Sequence, residues 1–164
     1  MVVFDATILI DLFHPRTQSD RKAKLQYLLV EFQRKRTKIL IPTPAFSEFL
    51  AGAGKARDEY HRQISVSSAF KLGTFDSRAA MECALMLDAA LSNADKRANG
   101  KTWAKAKFDW QIVAIAKVGN AKIIYSDDGD IARIAMRHGL DMIKTDDLPL
   151  PDSARQHKLD LPEN

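Results

Sequence analysis

Residues 2–15 read VVFDATILIDLFHP, and this stretch decides the fold. Val2, Val3 and Phe4 make a short apolar run that stops at Asp5, the pattern of a buried strand ending on an acid. Residues 7–13 turn helical, with Ala6 or Thr7 near the cap. His14-Pro15 ends that helix, since proline cannot continue it. A strand that passes straight into a helix opens an α/β unit.

The same alternation recurs outward from that start. Residues 22–34 place Leu25, Leu28, Leu29 and Phe32 at helical spacing. Residues 39–41 are a second apolar run, closed by Pro42. Residues 43–53 read as a helix with Pro44 early, where proline is tolerated, and Gly52 and Gly54 at its end. Residues 57–63 are a further helical piece, and 69–75 fit an edge strand. Residues 76–91 form a helix capped by Asp76 and lined by Ala80, Ala84, Leu87 and Leu91. Residues 93–107 are polar and basic, with a loop at Asn99-Gly100. Residues 108–118 are helical, 123–125 a third strand, 130–138 a helix ended by Gly139, and 142–144 a fourth strand. This order implies one α/β domain with a mainly parallel sheet over residues 1–148, followed by a proline-containing tail at 149–164.

Composition bounds the function. The chain has 164 residues, 46% hydrophobic and 28% charged, which suits one soluble domain. No apolar run approaches the roughly 20 residues that span a bilayer, so no membrane role is expected. Asp5 and Asp11 interrupt the first apolar stretch, which lacks the basic start of a signal peptide. Cys83 is the single cysteine; no intrachain disulfide can form, consistent with the cytoplasm. The four histidines have no zinc spacing. A net charge of +4 mildly favours a polyanionic partner.

Four apolar segments each deliver an acid. Asp109 lies three, four and seven residues before Ile112, Val113 and Ala116, on the stripe that should face the core. An ionised carboxylate there is costly unless paired or bound to a cation. Glu48 sits between Phe46 and Phe49 in TPAFSEFLAG. Asp5 ends VVF, and Asp127 and Asp128 follow IIY. Ligands of parallel sheets bind outside the carboxyl ends of the strands, where these acids can converge. Each acid also has a plainer use. Asp5 can cap the helix near Thr7, Asp109 can pair with Lys105 or Lys107, and Glu48 can edge a helix in water. Asp127, Asp128 and Asp130 can be turn residues around Gly129. Clustered carboxylates repel without a counterion, and an oxygen-only site without histidine favours Mg²⁺ or Mn²⁺.

With those residues in view, the chain resembles PIN-domain nucleases, most of all small prokaryotic toxins of the VapC type. The resemblance rests on VVFDATILIDL, PTPAFSEFLAG, KFDWQIVAIAKV and IIYSDDGDI, and covers about the first 145 residues. It implies a three-layer α/β/α sandwich with a four- or five-stranded, mainly parallel sheet. It implies RNA cleavage with Mg²⁺ or Mn²⁺ held by acids, leaving a 5′-phosphate and a 3′-hydroxyl. By the match, Asp5, Glu48, Asp109 and Asp128 are the catalytic and metal-holding acids. The family pattern Thr-x-Asp-x-Asp-Phe stands here as Ser126 to Ile131, which makes Asp128 the ligand and Ser126 and Asp130 supporting residues. Ala6 stands where many relatives carry a hydroxyl, and the adjacent Thr7 can supply one.

The resemblance implies two partners besides RNA, a small antitoxin that blocks the acidic site and a second copy in a homodimer. Leu12, Phe13, Leu28 and Phe49 are candidates for that surface, with core burial as their other use. Lys55, Arg57, Arg97, Lys101, Lys105 and Lys107 are candidates for the phosphate track, and Trp103 and Trp110 for base stacking, with core packing the alternative for Trp110. Two rival readings remain. One is a catalytically silent PIN-like module that binds RNA or protein. The other is a phosphatase of the haloacid dehalogenase type, whose FDxDGT opening FDATILIDL resembles. That chemistry needs an acid at position 7, where this chain has Thr.

Overall fold

A computed structural model describes residues 1–92 and 103–155. Five strands form one sheet with every neighbouring pair parallel. They are β1 (Val2–Phe4), β2 (Ile39–Pro42), β3 (Phe70–Gly73), β4 (Ile123–Tyr125) and β5 (Asp141–Ile143), in the sheet order β3-β2-β1-β4-β5. The chain steps outward from β1 to one edge, returns to the far side of β1, and steps outward again. The order reverses between β1 and β4, so the loops leaving those strands flank a crevice at the carboxyl edge.

The helices are α1 (Ala6–Phe13), α2 (Ser19–Arg34), α3 (Thr43–Gly52), α4 (Arg57–Val66), α5 (Ser77–Ser92), α6 (Trp103–Val118), α7 (Gly129–Arg137) and the short α8 (Asp152–Arg155). They cover both faces of the sheet, because side chains alternate along each strand. Val3, Leu40 and Ile124 pack with Ala79 and Cys83 of α5, Ile112 and Val113 of α6, and Ile134 of α7. Val2, Phe4, Ile39, Ile41 and Tyr125 face the other way, toward Leu9 of α1, Leu25 and Phe32 of α2, and Phe49 of α3. The expected three-layer α/β/α sandwich is therefore the observed one.

Local chemistry sets the element ends. Asp5 caps α1, accepting from the Thr7 N–H, and His14 closes it by donating to the Ile10 carbonyl. Asp76 Oδ1 accepts from the Ala79 N–H at 2.9 Å, the cap expected for α5. Asn120, at φ 53°, ends α6 in the left-handed region. Ala121 N–H bonds back to the Ala116 carbonyl, which closes that end. Gly73 matters for packing: a Cβ there would stand 2.7 Å from Ile115 Cγ2, so only glycine lets α6 reach β3.

Several expectations need correction. Helix α6 begins at Trp103 rather than at 108, since alanine and lysine are strong helix formers even in a polar, basic segment, and the loop expected at Asn99-Gly100 lies outside the described residues. Helix α2 begins at Ser19, one turn before 22. The buried face of α5 is Ala79, Cys83 and Met86, with Leu87 packed half-buried beside it as expected, whereas Ala80 and Ala84 are exposed and the Leu91 side chain lies outside the described residues. That helix carries apolar residues nearly all round, and packing against α6 chose the face. The edge strand expected within 69–75 is β3. Leu148, just past a short 3-10 helix (Thr145–Asp147), is buried in the core. Phe49 is buried in the core, and Leu12, Phe13 and Leu28 pack against it half-buried. Phe13 and Phe49 pack on Tyr60, with ring centroids 5.2 and 5.5 Å away.

Candidate functional site

The site is built from two strand exits. Asp5 follows β1, and Ser126 follows β4, its neighbour in the sheet. Asp5 donates its N–H to the Tyr125 carbonyl, which locks the two exits together at 3.1 Å. Both side chains are buried, Asp5 at 2% and Ser126 at 0% exposure.

Two hydroxyls serve one carboxylate oxygen. Ser126 Oγ donates to Asp5 Oδ2 at 2.8 Å, and Thr7 Oγ1 donates to the same atom at 3.1 Å. Each hydroxyl also accepts a backbone N–H, Ser126 from Asp128 at 3.0 Å and Thr7 from Asp127 at 3.1 Å. An N–H can only donate, so each hydroxyl must accept there and turn its own hydrogen to Asp5. Asp5 Oδ2 is thus fully engaged. Asp5 Oδ1 is buried and has no hydrogen-bond partner, the one such side-chain atom among the described residues. Burial pushes the Asp5 carboxyl above its ordinary value, and the Ser126 hydroxyl, the Ala6 and Thr7 backbone N–H groups and the Thr7 hydroxyl offset only part of that.

Asp128 caps α7, its Oδ1 accepting from the Asp130 N–H at 2.7 Å. Asp130 pairs with Arg133 one turn on, at 2.9 Å. Asp109 is 5% exposed on the stripe with Ile112, Val113 and Ala116, as its spacing predicted. Helix α6 runs into β4 and packs against α3, which carries Glu48. Glu48 itself is exposed. The structure therefore joins Asp5, Thr7, Ser126 and Asp128 directly. It sets Asp109 and Glu48 on two helices in mutual contact. Among the described residues, no group of three or more His, Cys, Asp or Glu side chains is arranged to hold a metal ion. The plainer use of Asp5 as a helix cap is realised, and Asp128, expected as a turn residue around Gly129, caps α7.

The donor set is carboxylate and hydroxyl oxygen throughout, the chemistry of a hard divalent cation. Asp5 Oδ1 is the atom such a cation would satisfy. The residues present fit Mg²⁺ or Mn²⁺ on that count.

Lys55, Arg57 and Lys107 are exposed. Arg57 Nε donates to the Leu50 carbonyl at 3.0 Å, so part of its role is to finish α3. Arg97 and Lys101 lie outside the described residues, as do the side chains of Lys105 and Trp103. Trp110 packs half-buried against the core with its ring edge-on to His138, the core-packing alternative expected for it.

Sequence reasoning missed one cluster here. Arg21 reaches Asp11, Asp127 and Asp146 together. Arg21 lies 106 positions from Asp127, and no local spacing signals that pair.

The chain belongs to the PIN domain family, whose model matches residues 2–137. The members of that family are generally nucleases that use divalent metals. Among curated protein sequences none matches the chain. Among solved structures it is similar to a chain of VapBC2 from Rickettsia felis, crystallised bound to a DNA fragment from its promoter. The identity there is 14%, the TM-score 0.60, and the match covers 88% of this chain and 98% of that one. It is also similar to a chain of DNA-bound VapBC from Salmonella typhimurium. That match has 15% identity and a TM-score of 0.55, covering 88% of this chain and 97% of that one. Both likenesses show the shared fold. Family membership sets aside the haloacid dehalogenase reading, and Thr7 is already committed between Asp5 and the Asp127 amide. Among the described residues, no helix is long and apolar enough to cross a membrane.

Proposed function

We propose that the protein is a divalent-metal-dependent endoribonuclease, the toxin of a toxin–antitoxin pair. One observation carries this reading: the buried Asp5 carboxylate at the switch point, with one oxygen engaged by two hydroxyls and the other accepting no hydrogen bond. Asp5 and Asp109 would hold Mg²⁺ or Mn²⁺ directly, with Glu48 and Asp128 doing so directly or through water. When bound, the cation would activate water and stabilise charge on the phosphate oxygens. Ser126 and Thr7 orient Asp5. Asp128 fixes the start of α7 and Asp130 braces it. Lys55, Arg57 and Lys107 are the described cations for the RNA backbone, and Arg97, Lys101 and Lys105 complete the set expected from sequence.

The antitoxin is a small protein whose segment would cover the acids. The VapBC complexes with similar folds support this partner. Expression without it should arrest bacterial growth, and expression of Asp5→Asn should not. One observation favours the silent binding module instead, namely that the described acids form no three-membered metal group.

The test is cleavage of a mixed RNA panel with Mg²⁺, with Mn²⁺ and with EDTA, by wild type, Asp5→Asn and Asp109→Asn. Metal-dependent cutting lost in both variants supports the nuclease and its site. Well-folded wild type that cuts nothing supports the silent module.

A further inference from the structure

Arg21 ties three parts of the chain together beside the Asp5 corner. Its Nη2 lies 2.6 Å from Asp11 Oδ2 and 2.5 Å from Asp127 Oδ2, and its Nη1 lies 2.7 Å from Asp146 Oδ1. Nε adds a second bond to Asp11 at 2.9 Å. Thr145 holds the same Asp127 carboxylate from the other side. Its N–H donates to Oδ1 and its hydroxyl to Oδ2, both at 2.9 Å. Thr145 is 0% exposed, so its hydroxyl has no competing water. The Asp127 side chain is thus gripped from α2 and from the turn after β5.

The grip has one output. The Asp127 N–H donates to Thr7 Oγ1, and that donation turns the Thr7 hydroxyl hydrogen onto Asp5 Oδ2. The same short segment supplies Ser126 Oγ to that oxygen, and the Asp128 N–H to Ser126. Movement of residue 127 would therefore disturb both hydroxyls that serve Asp5. Outer partners of this kind set how a metal ligand is presented.

We propose that Arg21 and Thr145, acting through Asp127, are positioning residues that keep Asp5 Oδ2 engaged and so present Oδ1 to a divalent cation. The proposal deepens the metal-site reading above and rests on it. It is testable by sign. Arg21 is itself a cation at the edge of an acidic site, so by charge alone its removal would tighten Mn²⁺ binding. By positioning, its removal loosens residue 127 and weakens Mn²⁺ binding. Thr145→Val changes no charge and little volume, so it isolates the positioning effect.

The experiment titrates the full chain with Mn²⁺, reading free ion by electron paramagnetic resonance, and measures kcat and KM on RNA. The proteins are wild type, Arg21→Ala, Arg21→Lys, Thr145→Val and Lys117→Ala. Lys117 pairs with Glu82 at 2.5 Å between α6 and α5 and serves as a control for lost stability. Arg21→Ala and Thr145→Val should each raise the Mn²⁺ Kd about 10-fold, as loss of an outer partner typically does. Their kcat should fall with KM for RNA little changed, and Arg21→Lys should recover part of the loss. Lys117→Ala should lower Tm and leave the Mn²⁺ Kd alone. Folded Arg21→Ala and Thr145→Val that bind Mn²⁺ as tightly as wild type, or more tightly, overturn the proposal. If Arg21→Ala does not fold, Thr145→Val decides. Wild type that neither binds Mn²⁺ nor cuts RNA overturns the metal-site reading and the proposal with it, an outcome distinct from variants that merely match an active wild type.

Discussion

Asp5 and Asp127 leave neighbouring strands and meet through one hydroxyl, that of Thr7, yet the fold treats them in opposite ways. Asp127 is a quarter exposed and held by Arg21 and twice by Thr145. Asp5 is 2% exposed, with no cation paired to it among the described residues and with Oδ1 accepting no hydrogen bond from them. Burying an unpaired carboxylate is among the costlier things a fold can do. The pairing at Asp127 is what an ion pair at a structural joint looks like. The orphaned oxygen at Asp5 accepts no hydrogen bond within the fold, and a cation would satisfy it. Charge on Arg21 shows the same contrast: burial works against it, but hydrogen bonds and Coulombic attraction from Asp11 and Asp127 outweigh that and hold it more firmly protonated than usual.

The largest effect should come from breaking the Asp5 side. Asp5→Asn should cut RNA cleavage by at least about 100-fold, since even outer partners of a metal cost roughly 10- to 100-fold. A milder loss would place the chemistry elsewhere. The next largest should come from Ser126→Ala, which removes the 2.8 Å bond. It should weaken Mn²⁺ binding about 10-fold and, with a charged acceptor, cost about 1.5–3 kcal/mol in chemical denaturation. Asp127→Ala should cost about 1–2 kcal/mol, between an exposed and a fully buried pair. If Asp127→Ala costs more activity than Asp5→Asn, the contrast between the two acids is inverted.

A pH series sharpens the same comparison. In EDTA, the folded Asp5 carboxyl titrates above the ordinary 3.8 because burial disfavours its charge. Its contribution to stability is fully present below 3.8 and is lost as pH rises through the raised folded value. Asp5→Asn escapes that loss. Its Tm should match wild type in acid and exceed it near neutral pH, and Mg²⁺ should narrow the gap by stabilising wild type. A Tm difference independent of pH would contradict the buried, unpaired carboxylate. The smallest effect is expected at the exposed Arg62–Glu59 pair on α4, where Arg62→Ala should leave cleavage and Tm unchanged within error.

Much of this was legible in the sequence, for physical reasons particular to each element. The strands β1, β2 and β4 are short, wholly apolar runs, ended by Asp5, Pro42 and Ser126. Burial of Asp109 followed from its place on an apolar stripe. The hydroxyl of Thr7 stood two residues from Asp5, which it serves, whereas Ser126 reaches the same acid from 121 positions away. What was not legible is long-range or degenerate. Helix α5 offers two apolar stripes, and only its neighbour α6 decides between them. The first turns of α6 are polar and basic, which hides good helix formers. Glu48 sits between two phenylalanines in sequence but faces outward, because helical period and not adjacency sets direction. The Arg21 cluster joins residues from α1, α2 and the turns after β4 and β5, and no window of sequence contains it.

The most direct measurement is Mn²⁺ binding by metal-stripped wild type and Asp5→Asn at neutral pH, followed by calorimetry. The account predicts binding by wild type and its loss in Asp5→Asn, with the variant folded and at least as stable in EDTA. Equal affinity in the two proteins would contradict it, because the orphaned oxygen of Asp5 would then not be where the cation binds.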